Sequence, residues 1–201
     1  MLTKTQTDIE KKEELFKDRR ELLGQLSSII QRADYIRGCK KAKSFPFFYT
    51  AHYKSSRGNR YSIIIEATDR KKGSLNPLFS IYTILQTEEG KYMLRYDLVK
   101  EHVNIFTPHF FKRYRERFLK REAPSTDEVI ATFQKRNPNT AGGEDGKVQT
   151  CNDGYILSKE IDKELSVCVT FVSFDMLQEG QTSTAEKLLE VISKHKKELE
   201  L

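Results

Sequence analysis

The residues with the clearest chemical potential lie in FTPHFFKRYRERF, the stretch from Phe106 to Phe118. On a helix, where successive residues are about 100° apart, His109, Arg113 and Arg117 form one polar stripe. A neutral histidine can accept a proton, and an arginine can bind two phosphate oxygens at once. These residue types suit metal-independent cleavage of RNA, with the histidine activating a 2′-hydroxyl and the arginines neutralising charge on phosphorus. The alternative is a polar helix face that contacts only solvent.

The signals around this stretch predict a helix that begins at Thr107–Pro108 and runs to about Arg121. Threonine can cap the free N–H groups of a helix, and proline suits the first helical position. His109 then lies in the first turn, where the helix dipole and the two arginines disfavour imidazolium, so a neutral ring is expected. The adjacent face is aromatic and is predicted to enter the core; its members are Phe110, Phe111, Tyr114 and Phe118.

Downstream, the pattern predicts a second helix, a polar loop, three strands and a C-terminal helix. The second helix runs from about Thr126 to Lys135 and has acidic residues in its first turn. The strands lie in KVQTC, GYILSKEI and LSVCVTFVSF, and the turns CNDG and IDKE between them are typical of hairpins. The capping box of Ser183 and Glu186 predicts a helix over 184–199.

Upstream, the pattern predicts one long helix and then four strands. Apolar residues recur at helical spacing between Thr3 and Ile36, which indicates a single long amphipathic helix. The next segments are rich in β-branched and aromatic residues: FPFFYTAHY, RYSIIIEAT, PLFSIYTILQT and KYMLRYDLV. Because the turns between them are short, the four strands are expected to form an antiparallel meander.

These elements together predict an α+β fold. A largely antiparallel sheet is expected, flanked by the long N-terminal helix, the central pair of helices that carries the His/Arg stripe, and the C-terminal helix. The predicted organisation is an N-terminal helical arm, 1–40, and an α+β body, 41–201. Within the body, a basic four-strand module at 44–100 precedes the region 106–174 and the helix at 184–199.

The charge distribution favours a polyanionic partner. The chain of 201 residues has a net charge of +6, but nineteen Lys/Arg stand against eight Asp/Glu between positions 31 and 120. Concentrated positive charge attracts RNA or DNA, since binding releases condensed counterions. The predicted nucleic-acid-binding residues are Lys54, Arg57 and Arg60 in one turn, Arg70, Lys71 and Lys72 in the next, and Lys112 and Arg115 on the central helix. The alternative is that these turns are merely solvated.

Several classes of protein find no support in the sequence. No stretch approaches the roughly 18 apolar residues of a membrane span, and the N-terminus carries acidic residues and lacks the apolar run of a signal peptide, so a cytoplasmic protein with no membrane association is expected. Cys39, Cys151 and Cys168 are too far apart for a zinc motif and are expected to be reduced thiols that are buried or partly buried. No phosphate-binding GxxxxGK[ST] loop is present. We therefore predict neither a metal nor a cofactor.

The segment HFFKRYRER, His109 to Arg117, resembles the H-x3-R-x3-R helix of small RelE-like toxin domains, which belong to the broad barnase/RelE class of ribonuclease folds. In that family, an "EV" helix, a loop with an "xDG" turn and antiparallel strands follow. TDEVIATFQKRN, CNDGYILSK and LSVCVTFVSF occur here in the same order. The resemblance covers about 106–174, roughly a third of the chain.

The resemblance implies a function and a set of site residues. His109, Arg113 and Arg117 match the motif, Glu116 matches the acid before the final arginine, and Thr170 matches a polar position in the last strand. The implied activity is metal-independent endoribonucleolytic cleavage with no cofactor. An antitoxin, or a second copy of the chain, is the expected partner of the long N-terminal helix.

Two other functions remain open at this stage. A non-enzymatic nucleic-acid-binding protein of a phage or mobile element would explain the basic middle region without catalysis. A structural or interaction protein would use the His/Arg face only to contact a partner. Salt-sensitive RNA binding separates the first two hypotheses from the third, and turnover separates the first from the second.

Overall fold

The computed structural model describes residues 1–70, 77–120, 125–138, 140–142 and 147–176. They belong to two compact units, Met1–Ile105 and a second unit that begins at Phe106. The predicted α+β class and the largely antiparallel strand pairing are confirmed. The first unit contains both the predicted helical arm and the basic strand module. The predicted C-terminal helix, 184–199, lies outside the described residues.

The N-terminal segment forms three helices, so the prediction of one long helix from Thr3 to Ile36 is wrong. The helices are α1, Asp8–Lys17; α2, Arg19–Ile30; and α3, Ala33–Lys41. The break between α1 and α2 falls at Asp18, which is fully buried and accepts hydrogen bonds from Asn59 and Tyr61. The break before α3 falls at Arg32, whose backbone is extended. Each break lets the next helix turn its apolar stripe toward the strands.

The first unit continues as the predicted meander with one additional strand. The strands are β1, Phe47–Lys54; β2, Arg60–Ala67; β3, Leu78–Gln86; β4, Lys91–Asp97; and β5, His102–Phe106. Strand β5 was not predicted from the sequence, and its last residue is the first residue of the second unit. The first four pair in chain order, and each pair is antiparallel. The helices cover one face of this sheet, since Phe16 stacks on Tyr96 and Tyr35 contacts Tyr49.

Carboxylates of α1 and α2 hold the turn between β1 and β2 in place. Arg57 donates two hydrogen bonds of 2.9 Å to Glu14. Asn59 donates to Asp18 at 2.7 Å, and the backbone N–H of Ser56 donates to Glu21 at 2.8 Å. The turn is therefore bonded to the helices and is not a free cationic loop.

The ion pair between Glu14 and Arg57 makes the stability of the first unit sensitive to acid. The hydrogen bonds from Arg57, assisted by the N-terminal ammonium group, lower the pKa of Glu14 from its ordinary 4.5 to about 2. A depressed pKa contributes stability that is fully present above the unfolded-state value and is lost as the pH falls. We therefore expect the free energy of unfolding to fall between about pH 4.5 and pH 2, as measured by urea unfolding at each pH. Glu14→Gln should flatten this decrease, and an unchanged slope in that variant would contradict the assignment.

The second unit packs two helices on a small antiparallel sheet. Its helices are α4, Pro108–Tyr114, which continues as a π-helical turn over Arg115–Leu119, and α5, Thr126–Arg136. Its strands are β6, Ala141–Gly142; β7, Val148–Cys151; β8, Gly154–Asp162; and β9, Leu165–Ser173. They lie in the order β9-β8-β7-β6. The second helix and the three predicted strands agree with these bounds. The first helix, predicted to run to about Arg121, is α-helical only to Tyr114, and β6 falls in the segment predicted as a polar loop.

Aromatic side chains fill the core of the second unit. Phe110 lies 5.1 Å from Phe133 and 6.1 Å from Phe171, measured between ring centroids. Tyr114 contacts the same two rings at 5.1 and 5.0 Å. The prediction that the aromatic face enters the core is confirmed for Phe110, Phe111 and Tyr114, whereas Phe118, in the π-helical turn, is half-buried. Burying this face leaves the His/Arg side of the helix toward solvent.

None of the helices in the described part of the chain is long and apolar enough to cross a membrane. The three cysteines are buried thiols that form no disulfide, as predicted. Within the described ranges, no group of three His, Cys, Asp or Glu side chains is placed to hold a metal ion.

Candidate active site

The N-terminus of α4 is attached to β9 through Thr107. The Thr107 hydroxyl accepts a hydrogen bond from the N–H of Phe110 at 3.2 Å and so caps the helix. The same hydroxyl donates to the carbonyl of Val169 at 3.3 Å, and the Thr107 N–H donates to the carbonyl of Cys168 at 3.2 Å. This attachment fixes the first turn of α4, and with it His109, relative to the strand.

A β-bulge lies at the point of attachment. Leu157 of β8 pairs with Thr170, whereas the next residue, Ser158, pairs with Cys168, so Val169 is an extra residue in β9. The side chain of Val169 is 44% exposed. Bulges interrupt the regular ladder and are common beside active sites, where they redirect side chains. The start of α4 is thus placed beside an irregular, partly exposed segment of the sheet.

His109, Arg113 and Glu116 form a line of contacts on the exposed side of this helix. Arg113 Nε donates to His109 Nε2 at 3.4 Å, and Arg113 Nη1 donates to Glu116 Oε2 at 2.9 Å. His109 is exposed, and the side chains of Arg113 and Glu116 are 38% and 39% exposed. In this arrangement Nε2 of His109 is the acceptor of the hydrogen bond, which is also the role that a general base has toward a substrate proton.

Arg117 is held differently from Arg113. Its Nη1 donates to the backbone carbonyl of Phe171 in β9. Arg117 lies in the π-helical turn, where a turn contains more residues than in an α-helix, so its position on the α-helical wheel does not apply. The structure therefore directs one nitrogen of Arg117 to the strand and leaves the side chain half-buried.

Thr170 lies on the opposite face of the sheet from α4. Side chains alternate between the faces of a strand, and the ring of Phe171 contacts Phe110 and Tyr114 on the helix side. Thr170 precedes Phe171 and pairs with Leu157, so its side chain points away from the helix. The structure brings His109 and Arg113 together, but it does not bring Thr170 to them.

The predicted nucleic-acid-binding residues fall into separate groups. Lys112 is exposed on α4 and Arg115 is half-buried at the start of the π-helical turn. Lys54 and Arg60 are exposed and lie directly opposite each other on β1 and β2. Because like charges at opposed positions repel, an anion between these two side chains would be favourable.

The remaining predicted binding residues are engaged or lie outside the described ranges. Arg57 forms the ion pair with Glu14, on the side of the turn that faces the helices. Arg70 is exposed and donates to the carbonyl of Ala42 at 2.9 Å. Lys71 and Lys72 lie outside the described residues.

The sequence analysis did not identify a network of hydrogen bonds, centred on the buried carboxylate of Asp153, that holds α4 and α5 in place. Asp153, in the β7–β8 turn, is 2% exposed and accepts from Tyr114 Oη at 2.6 Å, Arg136 Nη2 at 2.8 Å and Asn137 Nδ2 at 2.8 Å. Burial, and then the hydrogen bond to Asp153, raise the pKa of Tyr114. The guanidinium of Arg136 also lies 4.8 Å from the ring centre of Phe118. The network connects α4 and α5 to the β7–β8 turn. In the sequence, the only indication of this network was the aspartate in the predicted turn CNDG.

Comparison of the chain with models of protein families, with curated proteins and with solved structures found no match. The resemblance to RelE-like toxin domains therefore stays a prediction that depends on the H-x3-R-x3-R spacing and the order of the following elements.

Proposed function

We propose that the second unit binds RNA on the exposed side of α4 and cleaves it, as a metal-independent endoribonuclease of the RelE-like toxin class. The observation that carries this proposal is the exposed pair of His109 and Arg113, with 3.4 Å between Nε2 and Nε. A proton acceptor and a phosphate-binding cation are thereby within reach of the same ribose-phosphate unit.

The reaction would be an intramolecular transfer at phosphorus. A phosphate oxygen of the RNA draws the Nε–H of Arg113 away from His109, which frees Nε2 to take the proton of the 2′-hydroxyl. The 2′-oxygen then bonds to phosphorus, the bond to the 5′-oxygen breaks, and that oxygen takes a proton from water, while the hydroxide so formed takes the proton from His109 and restores the base. The products are a 2′,3′-cyclic phosphate and a 5′-hydroxyl. Arg113 neutralises the charge that develops on the phosphate oxygens, and Glu116 orients Arg113.

Arg117 and Thr170 are placed differently from His109 and Arg113. Arg117 is proposed to contribute positive charge beside the phosphate while one of its nitrogens bonds to the strand. Thr170, on the far face of the sheet, has no contact that supports a catalytic role. RNA is the partner that the proposal requires; an antitoxin at the N-terminal helices stays a proposal that follows from the resemblance.

The test is cleavage of RNA in EDTA by purified protein, followed by end-group analysis. We expect His109→Ala to slow cleavage by about 10²-fold or more and Arg113→Ala by about 10²–10³-fold. His52→Ala, which removes an exposed histidine in the first unit, should leave the rate unchanged, as should Thr170→Val. Equal cleavage by wild type and both α4 variants would show a contaminating nuclease and contradict the proposed site.

A second candidate is binding of nucleic acid without turnover. It is favoured by the neutralisation of Arg113 by Glu116 and by the exposed opposed pair, Lys54 and Arg60. Intact RNA, together with binding that weakens steeply as salt rises, would favour this candidate over cleavage. Lys54→Ala/Arg60→Ala should then reduce both the affinity and its dependence on salt.

A further inference from the structure

Strand β1 is the outermost strand of the first unit's sheet. Its eight residues pair with β2 without interruption, from Phe47 opposite Ala67 to Lys54 opposite Arg60. In the strand order β1 is terminal, so no strand of the described ranges lies on its other side. Its residues are mostly exposed or half-buried, whereas the neighbouring β2 is mostly buried. An exposed edge of this length is a ready template for pairing with another strand.

The pairing with β2 identifies which backbone groups face outward. The N–H of Ser55 donates to the carbonyl of Asn59 at 2.9 Å, so this pair is hydrogen-bonded. Hydrogen-bonded and non-hydrogen-bonded pairs alternate along an antiparallel ladder. The next pair, Lys54 with Arg60, is therefore of the non-hydrogen-bonded kind. By the same alternation, the outward N–H and C=O groups belong to Phe48, Thr50, His52 and Lys54.

Little in the sequence of β1 protects this edge. Natural edge strands commonly carry proline, a bulge or inward-pointing charges that prevent pairing. Here the register has no bulge, the eight residues contain no proline, and the one residue of fixed charge is Lys54 at the end of the strand. The hydrogen bond from Tyr49 to Asp34 joins α3 to β1 through a side chain on one face of the sheet.

A second copy of β1 is a complementary partner for the edge. A twofold axis normal to the sheet, through Ala51, makes the two strands antiparallel and keeps the same face on the same side. It places Thr50 opposite His52 and Phe48 opposite Lys54 of the other copy. In this register every residue of β1 with outward N–H and C=O groups exchanges backbone hydrogen bonds with the other copy. An axis through Thr50 would instead place Lys54 opposite Pro46, which has no N–H to donate. No like charges are opposed, and Tyr49 meets Tyr53 as an aromatic pair.

We propose that the protein forms a twofold-symmetric homodimer in which the two β1 strands pair antiparallel about Ala51 and join the two sheets. The interface is narrow, so association is expected to be reversible and dependent on concentration. In this proposal the protein self-associates through β1, whereas the sequence analysis expected self-association through the N-terminal helix. The proposal does not depend on RNA cleavage and is tested without RNA.

The first test is sedimentation velocity over a range of concentrations. Wild type should shift from monomer to dimer, and Thr50→Pro should remain monomeric, because proline lacks the outward N–H while the ladder with β2 is unaffected. Thr50→Val, which keeps the N–H, should dimerise as wild type does. A wild type that is monomeric at every concentration, or a dimer that both variants retain, would overturn the proposal; a monomer that captures a strand of another protein would do the same.

Disulfide cross-linking tests the register and does not require the proline variant to fold. Thr50→Cys and His52→Cys are made separately, and the three native cysteines are buried, so background cross-linking is low. Residues opposed in an antiparallel pair are close enough for a disulfide. The mixture of the two variants should cross-link several-fold faster than either variant alone. Cross-linking of Thr50→Cys alone at the rate of the mixture, or no cross-linking, would contradict pairing about Ala51.

Discussion

Replacement of Asp153 by alanine is expected to destabilise the second unit by about 2–4 kcal/mol, because it leaves the buried donors of Tyr114 and Asn137 without their acceptor. Asp153 accepts hydrogen bonds from Tyr114, Arg136 and Asn137, and its own N–H donates to the side-chain oxygen of Asn137 at 3.1 Å. Only 2% of the Asp153 side chain is exposed, and Tyr114 and Asn137 are fully buried, so water does not reach these two donors in the folded state, whereas the side chain of Arg136 is 51% exposed. Urea unfolding followed by circular dichroism measures the loss.

Two further variants separate the buried network from a general effect of removing charge. Asp153→Asn keeps an acceptor oxygen for Tyr114 but loses the ion pair with Arg136, so its stability should lie between those of wild type and Asp153→Ala. Asp175→Ala removes an exposed carboxylate of the same unit that pairs with Lys120 at 2.9 Å, and should change stability little. Equal losses in Asp153→Ala and Asp175→Ala would show that the network does not stabilise the unit.

The elements that sequence analysis predicted well are those with local signals. The cap and proline at Thr107–Pro108 mark the start of α4, and the aromatic periodicity that follows identifies its buried face. Short turns likewise predicted the antiparallel strands of both units. Such signals depend on residues within about one turn of helix or one hairpin, which a single sequence displays directly.

The features that were missed depend on residues far apart in the chain. The break at Asp18 requires partners 41 and 43 residues away, Asn59 and Tyr61. The support of α4 requires Asp153, which lies 39 residues from Tyr114. The resemblance to RelE-like domains predicted that Thr170 lies in the same site as His109. Because side chains alternate between the two faces of β9, Thr170 instead lies on the face of the sheet that is opposite α4. Pairing across such distances is decided by tertiary packing, which local propensity does not encode.

Replacement of Asp18 by alanine is the corresponding prediction for the first unit, with an expected loss of about 2–4 kcal/mol. The carboxylate is fully buried between α1 and α2 and accepts from Asn59 Nδ2 and Tyr61 Oη, both at 2.7 Å. Without it, two donors stay buried and unpaired, and the junction of the helices loses its attachment to the β1–β2 hairpin. Hydrogen exchange at the amides of β1 and β2, together with urea unfolding, measures the effect.

The matched control is Asp34→Ala in α3. Asp34 also accepts a hydrogen bond of 2.7 Å from a tyrosine of this sheet, Tyr49, but its side chain is 48% exposed. Water can replace that contact, so only a small loss is expected. A loss for Asp34→Ala as large as that for Asp18→Ala would mean that any helix–strand carboxylate contact matters equally. A selective loss for Asp18→Ala would show that the buried carboxylate holds the basic hairpin to the N-terminal helices.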